Sequence, residues 1–296
     1  MFNKNSFAKN RPLRVAAIHD LSGFGRCSLS VIMPTLSSMG VQVCAVPTAI
    51  MSTHTGDFQG VVMKDLSTYI SEALAHYKAL AIDFDCIYTG FLGSEEQIDC
   101  CLEFFDSFKG ALKVVDPVMG DSGKPYRTYT KPMIDRMIEL AEVSDITIPN
   151  ITECFMLLGD SYHGELISRD KAKKLLLMLS EKGPEKVIIT GVPLSTGIIA
   201  NIGFDRETSS FWKASCEYIP VSYPGTGDIF ASVITGAILS GESLPIAMAR
   251  ATSFLELAIK TTFSYGSKAR EGVMLEKVLP ALSFGEALGK LEYSIL

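Results

Sequence analysis

No apolar run in this 296-residue chain reaches the roughly 18 residues that a membrane-crossing helix needs. The first 13 residues, MFNKNSFAKNRPL, hold no long apolar core and do not read as a secretory signal. Basic residues are in the minority: 27 Lys and Arg face 33 Asp and Glu, a net charge of -6, which supports neither nucleic-acid nor anionic-membrane binding. CxxC pairs are missing too. The seven Cys, at 27, 44, 86, 100, 101, 154 and 216, lie mostly in apolar runs and read as buried free thiols of a reducing cytosol. The four His, at 19, 54, 76 and 163, lack metal-site spacing. Phosphate signatures of the common kinds are also absent. Gly123 and Lys124 are followed by Pro125, with Val118 where a P-loop needs its first Gly; GFGRCS keeps two of three dinucleotide-site glycines, with Ser28 in the third place. GVPLSTG is not a nucleophile elbow. These absences point to a cytoplasmic protein whose partners are small molecules or other chains, and they exclude P-loop ATPases and dehydrogenases.

What is present is a chain that is 47% hydrophobic and 20% charged, able to bury a large core. After a polar tail over 1–13, one domain is expected over 14–296. RVAAIHD reads as a short buried strand ending at Asp20, followed by a glycine loop and a helix closed by Gly40. The alternation continues through VQVCAVP, a helix over about 65–80, DCIYTGF, a helix over about 95–108, LKVVDP, a helix over about 131–142, DITIPN, a helix closed by Gly159, a helix over about 168–183, and KVIITG. Strands apolar on both faces that alternate with helices predict an α/β fold with a parallel sheet covered on both sides. TGIIANIGF and TSSFWKAS then predict two shorter strands in a hairpin or meander, and from Gly227 onward the pattern is helical.

Polar residues stand at the carboxyl ends of several predicted strands, where such sheets bind ligands: Asp20, Asp116, Asn150 with Glu153, and Thr190. An acid pair with an amide suits Mg²⁺, which keeps its waters and shares one or two carboxylates with substrate phosphates. Asn150 as an N-cap, with Glu153 favoured in the first helical turn, is the plainer alternative. In SYPGTGDIFASV, Gly225 and Gly227 flank Thr226 ahead of a helix, so amide groups can converge on an anion. Asp228 would repel that anion, and is better suited to take a proton from an attacking hydroxyl. His54, in the polar loop after the second strand, is a candidate for substrate contact. The turn GDSGKPYRTY, within 120–130, is a candidate lid or a plain surface loop.

Taken together and in order, HDLSGFGRCS, STHTG, GFLGS, VVDPVMGD, PNITE and PGTGD resemble the pyridoxal kinase group of the ribokinase-like superfamily. The resemblance runs from about Arg14 to the final helices. DPVMG and PNxxE are shared with hydroxymethylpyrimidine kinases. The resemblance implies a three-layer ribokinase-like fold and ATP-dependent phosphorylation of the 5′-hydroxymethyl group of a vitamin B6 vitamer. It implies Mg²⁺ with ATP, with a monovalent cation such as K⁺ as a further candidate, and a homodimer. Residue by residue, it makes Asp228 the catalytic base and Gly225, Thr226 and Gly227 the anion hole. Asp116, Asn150, Glu153 and Thr190 fall on the ATP side, with Asp116 and Glu153 toward Mg²⁺, partly through water. Ile219, Pro220 and Val221 lie near adenine, and Asp20, Thr55 and Phe91 face the ring. Asp20 stands where many pyridoxal kinases carry Ser, as in the pyrimidine kinases; Phe91 replaces a frequent Tyr; Asp228 stands where many pyrimidine kinases carry Cys. A pyrimidine kinase and a non-catalytic vitamer-binding regulator remain as alternatives.

Overall fold

The computed structural model describes residues 10–283, 288–289 and 291–296. Residues 1–9 of the expected tail lie outside the described residues. Its last part is anchored: Arg11 pairs with Asp83 and donates to Asp85 at 2.7 Å. The chain then runs β1 (Arg14–Phe24), α1 (Leu29–Ser38), β2 (Gln42–Thr53), β3 (Met63–Asp65), α2 (Ser67–Ala79), β4 (Cys86–Thr89), α3 (Glu95–Ser107) and β5 (Leu112–Val115). A hairpin of β6 (Gly120–Asp121) and β7 (Lys124–Pro125) precedes α4 (Lys131–Glu142), β8 (Ile146–Thr147), α5 (Ile151–Leu157), α6 (Arg169–Glu181) and β9 (Lys186–Ser195). β10 (Ile198–Asp205) and β11 (Ser210–Glu217) follow, then α7 (Thr226–Leu239), α8 (Leu244–Tyr265), α9 (Leu275–Val278), α10 (Pro280–Ser283) and β12 (Ser294–Ile295).

Val15, Ala16, Ala17 and Ile18 are all fully buried, so β1 is apolar on both faces and belongs at the centre of a covered sheet. Ten strands form that sheet, in the order β12-β11-β10-β9-β8-β5-β4-β1-β2-β3. The run from β9 to β2 is parallel. The edges are not: β3 on one side and β10, β11 and β12 on the other pair antiparallel, so the sheet is mixed. The two strands predicted there are β10 and β11, which with β9 form an antiparallel meander. Ile18, Ile87 and Val115 pack on one face with Ile70, Phe104 and Met137 from α2, α3 and α4. Val15, Ala17 and Val114 pack on the other with Ile32, Ile234 and Phe254 from α1, α7 and α8. Helices thus cover both faces in three layers, and each fully buried Phe contributes about 1.5–3 kcal/mol.

Strand order reverses at β1, with β2 on one side and β4 on the other, which opens a crevice at the carboxyl ends of the strands. β1 itself differs from expectation. It does not stop at Asp20 but continues to Phe24, and its register with β2 shifts between His19 and Leu21. Asp20 sits at that bulge, and a bulge re-aims a side chain. Among the described residues no helix is long and apolar enough to cross a membrane, and all seven Cys are free.

Candidate active site

Asp228 lies in the first turn of α7, and the residues before it explain why the turn has its shape. Gly225 has φ 80°, and a Cβ there would lie 2.1 Å from the Arg26 carbonyl oxygen, so both its conformation and its surroundings require glycine. No side chain caps this end of α7. The first amide groups of the helix therefore remain available to an anion. Gly227 is different: nothing lies within 4 Å of where its Cβ would be, so its lack of a side chain leaves room beside the helix end. The Thr226 hydroxyl turns back to the Tyr223 carbonyl at 3.0 Å, so it is engaged within the loop.

The Asp228 carboxylate is buried and accepts the Ser28 N–H at 2.8 Å and the Cys27 S–H at 3.6 Å. Burial pushes its pKa up to about 6; the Ser28 N–H opposes that rise, and the charge of Asp20 adds to it. Asp20 in turn accepts the Ser28 hydroxyl at 2.6 Å and the Ser22 hydroxyl at 3.3 Å. Burial raises its pKa too, against those hydroxyl donors. A buried carboxylate with its pKa raised to about 6, beside a helix end that no side chain caps, is equipped to take a proton from a hydroxyl.

Asp116 follows β5, buried, and burial together with the neighbouring charges of Glu153 and Asp228 holds its pKa well above the usual carboxylate range. Asn150 and Glu153 form a capping box at the start of α5: the Asn150 side chain accepts the Glu153 N–H at 3.0 Å and the Glu153 carboxylate accepts the Asn150 N–H at 2.8 Å. Glu153 also accepts the Met119 N–H at 3.0 Å. Burial pushes it up to about 8 against these donors. The capping alternative is therefore realised, and it leaves Asp116 as the less satisfied of the two acids. Two buried carboxylates that repel one another fit a cation between them. Among the described residues no group of three or more His, Cys, Asp or Glu could hold a metal ion.

The base of the turn at 120–130 is tied down. Ser122 and Gly123 both have positive φ, which suits a tight two-residue hairpin. The Gly123 N–H donates to the Thr152 hydroxyl at 2.9 Å and the Asn150 amide to the Gly120 carbonyl at 2.8 Å. The base of this segment is thus fixed to α5, while Lys124 to Thr128 are exposed.

Thr190, Ile219, Val221, Thr226 and Gly227 line a single cleft of about 230 Å³. Pro220 is exposed and lies off its lining. Its apolar walls come from Phe230, Leu255 and Ile259, and its floor from Asn201, which donates to Thr252 at 2.9 Å. The β10, β11 and α8 residues of this lining escaped sequence reading, because none belongs to a motif. Thr55 and Phe91 are not in that lining: Thr55 is exposed and Phe91 is half-buried against Tyr129. His54 has both ring nitrogens engaged: Nδ1 accepts the Gly56 N–H at 3.1 Å and Nε2 meets the Arg270 carbonyl at 2.7 Å. It braces the loop instead of offering a nitrogen to a ligand. Ser28, noticed only as a failed third glycine, is the residue that joins Asp20 to Asp228.

A mixed sheet with its acids and glycine-headed helix gathered at the switch-point edge defines an α/β protein of the kinase type. The chain belongs to the family described as phosphomethylpyrimidine kinase, whose model matches residues 33–272. A Bacteroides thetaiotaomicron protein provisionally assigned as a phosphomethylpyrimidine kinase, in a crystal form with pyridoxal, is 42% identical, with TM-score 0.91 over 97% of this chain and 100% of that one. The pyridoxal kinase of Lactobacillus plantarum is 30% identical, with TM-score 0.85 over 94% and 99%. The pyridoxal kinase of Staphylococcus aureus, in complex with ADP, is 25% identical, with TM-score 0.72 over 85% and 89%.

Proposed function

We propose that the protein transfers the γ-phosphoryl group of ATP to the 5′-hydroxymethyl group of pyridoxal, pyridoxine or pyridoxamine. The observation that carries this reading is Asp228: a buried carboxylate with its pKa raised to about 6, in the first turn of a helix whose end no side chain caps. ATP lies in the cleft between β9, β11 and α7, with adenine near Ile219 to Val221. The vitamer ring lies over Asp20, Thr55 and Phe91. Asp228 takes the hydroxyl proton as the γ-phosphoryl group passes to that oxygen and its bond to the departing ADP breaks, and the amides of Gly225, Thr226 and Gly227 receive the charge of the transferring group. Asp116, with Glu153 through water, would hold Mg²⁺. Mg²⁺ supplies neutralisation of phosphate charge when bound. His54 enters only as a support of the loop that carries Thr55. Pyridoxal in the Bacteroides relative and ADP in the Staphylococcus relative support both halves of the assignment.

A second reading, hydroxymethylpyrimidine kinase, is favoured by Asp20 and by the family description. Turnover of the three vitamers and the pyrimidine side by side, with ATP and Mg²⁺, decides between them. Faster turnover of the pyrimidine would overturn the vitamer assignment, and no ATP consumption with any of the four would favour a non-catalytic binding protein. The same reading takes the chain to be a cytoplasmic homodimer, for which sedimentation equilibrium should return twice the chain mass.

A further inference from the structure

Asp20 and Asp228 reach one residue from two sides. Ser28 gives its hydroxyl to Asp20 at 2.6 Å and its N–H to Asp228 at 2.8 Å. It does so from an unusual backbone, φ 51° and ψ -134°, at the N-cap of α1, where its side chain caps nothing in the helix. The neighbouring chain holds this geometry. Cys27 donates its N–H to the Ser30 hydroxyl at 3.1 Å, Arg26 donates its N–H to the Glu271 carbonyl at 3.1 Å, and the Arg26 carbonyl lies against Gly225.

Two carboxylates this close each oppose the ionisation of the other, and the one with the better donors takes the charge first. Asp20 has two hydroxyl donors, one of them at 2.6 Å. Asp228 has one amide and a long thiol contact. Asp20 is therefore the anion against which Asp228 titrates. We propose that Ser28 is a positioning residue that tunes the base: its hydroxyl anchors negative charge on Asp20, and that charge makes Asp228 the more basic carboxylate. The inference rests on the reading of Asp228 as the base, and its benefit is a base matched to a neutral working pH. The other titratable groups facing the pair are Cys27 beside Asp228, Tyr88 from β4, Asp116 after β5, and His54 toward Asp20. Burial pushes the Cys27 thiol and the Tyr88 phenol up, so both stay neutral.

The test is the pH profile of kcat/KM for pyridoxal with ATP and Mg²⁺ in the full chain, for the wild type, Asp20→Asn, Ser28→Ala, Ser28→Gly and the double variant Asp20→Asn/Ser28→Ala. Glycine accepts the positive φ at position 28 without strain, so Ser28→Gly guards against a folding defect in Ser28→Ala. Each single variant should move the acid limb down by about one pH unit. The double variant should match Asp20→Asn alone. An acid limb that stays or rises in both Ser28 variants, or a second shift added in the double variant, would overturn the proposal. A ¹³C-carboxyl NMR titration of the ligand-free protein reads the Asp228 shift without turnover. If Asp228→Asn kept full activity, the base assignment would fail, and the NMR shift would still decide whether Ser28 couples the two acids.

Discussion

Asp228 accepts the backbone N–H of Ser28 at 2.8 Å, across 200 positions of sequence. The contact places the loop that leaves β1 against the first turn of α7. It also gives the proposed base one firm donor, which fixes the direction of that oxygen, while burial raises its pKa to about 6.

Removing that carboxylate should affect chemistry and spare binding. Asp228→Asn keeps the shape of the side chain, and turnover should fall by about 10² to 10⁴-fold. Calorimetric affinity for ADP should stay within about threefold. Full activity in this variant would remove Asp228 from the mechanism.

The two glycines of PGTGD should fail in different ways. Gly225→Ala forces a side chain into a left-handed backbone and into the Arg26 carbonyl, so the urea midpoint should drop by the equivalent of about 1–3 kcal/mol. Gly227→Ala meets nothing in the fold, and stability should stay within about 0.5 kcal/mol. Its effect should be a raised KM for ATP. An unaffected KM would show that the space beside Gly227 is not where phosphate passes.

Stability should fall as pH rises in the absence of nucleotide. Burial raises the folded-state pKa of Asp228 to about 6 and of Glu153 to about 8, above the ordinary values of 3.8 and 4.5. Between those values the folded chain holds more protons than the unfolded one, so each such group loses stabilising effect as pH passes through its folded pKa. Thermal unfolding should therefore shift downward between about pH 5 and pH 8, and Mg²⁺ with ADP should stabilise more at pH 8 than at pH 6. A midpoint that rises over this range in ligand-free protein would contradict the assignment.

Asn150 and Glu153 can be separated by substitution. Asn150→Ala removes the cap and the tie to Gly120, and should cost about 1–2 kcal/mol in urea unfolding. Glu153→Gln can still accept at the cap, so it should unfold near the wild type. Its Mg²⁺ concentration for half-maximal turnover should rise severalfold. An unchanged Mg²⁺ requirement would reduce Glu153 to a capping residue.

Much of this was legible in the residues. The helix over Lys131–Glu142 has the bounds that its apolar spacing predicts, and RVAAI, LKVV and KVII are too apolar on both faces to lie anywhere but in a covered sheet. Gly40 and Gly159 end helices with positive φ, as the local pattern requires. Asp116, Glu153 and the glycines before Asp228 were also visible, since each stands where a strand ends or a helix begins.

Periodicity and local turn chemistry act over a few residues, so the sequence by itself determined the elements, their order and the positions of the candidate acids. Tertiary structure decided the rest. It set Asp20 in a bulge instead of at a strand end, clasped the 120–130 turn to α5, and engaged both nitrogens of His54. It also placed Asn201, Thr252 and Leu255 in the cleft with Thr190. The physical reason is strand order: β1 lies between β2 and β4, and β9 beside β10, so residues with no local relation become neighbours. The meeting of Ser28 with Asp20 and Asp228 is of that kind. Its components are ordinary in the sequence, and only the packing of α7 against the loop after β1 joins them.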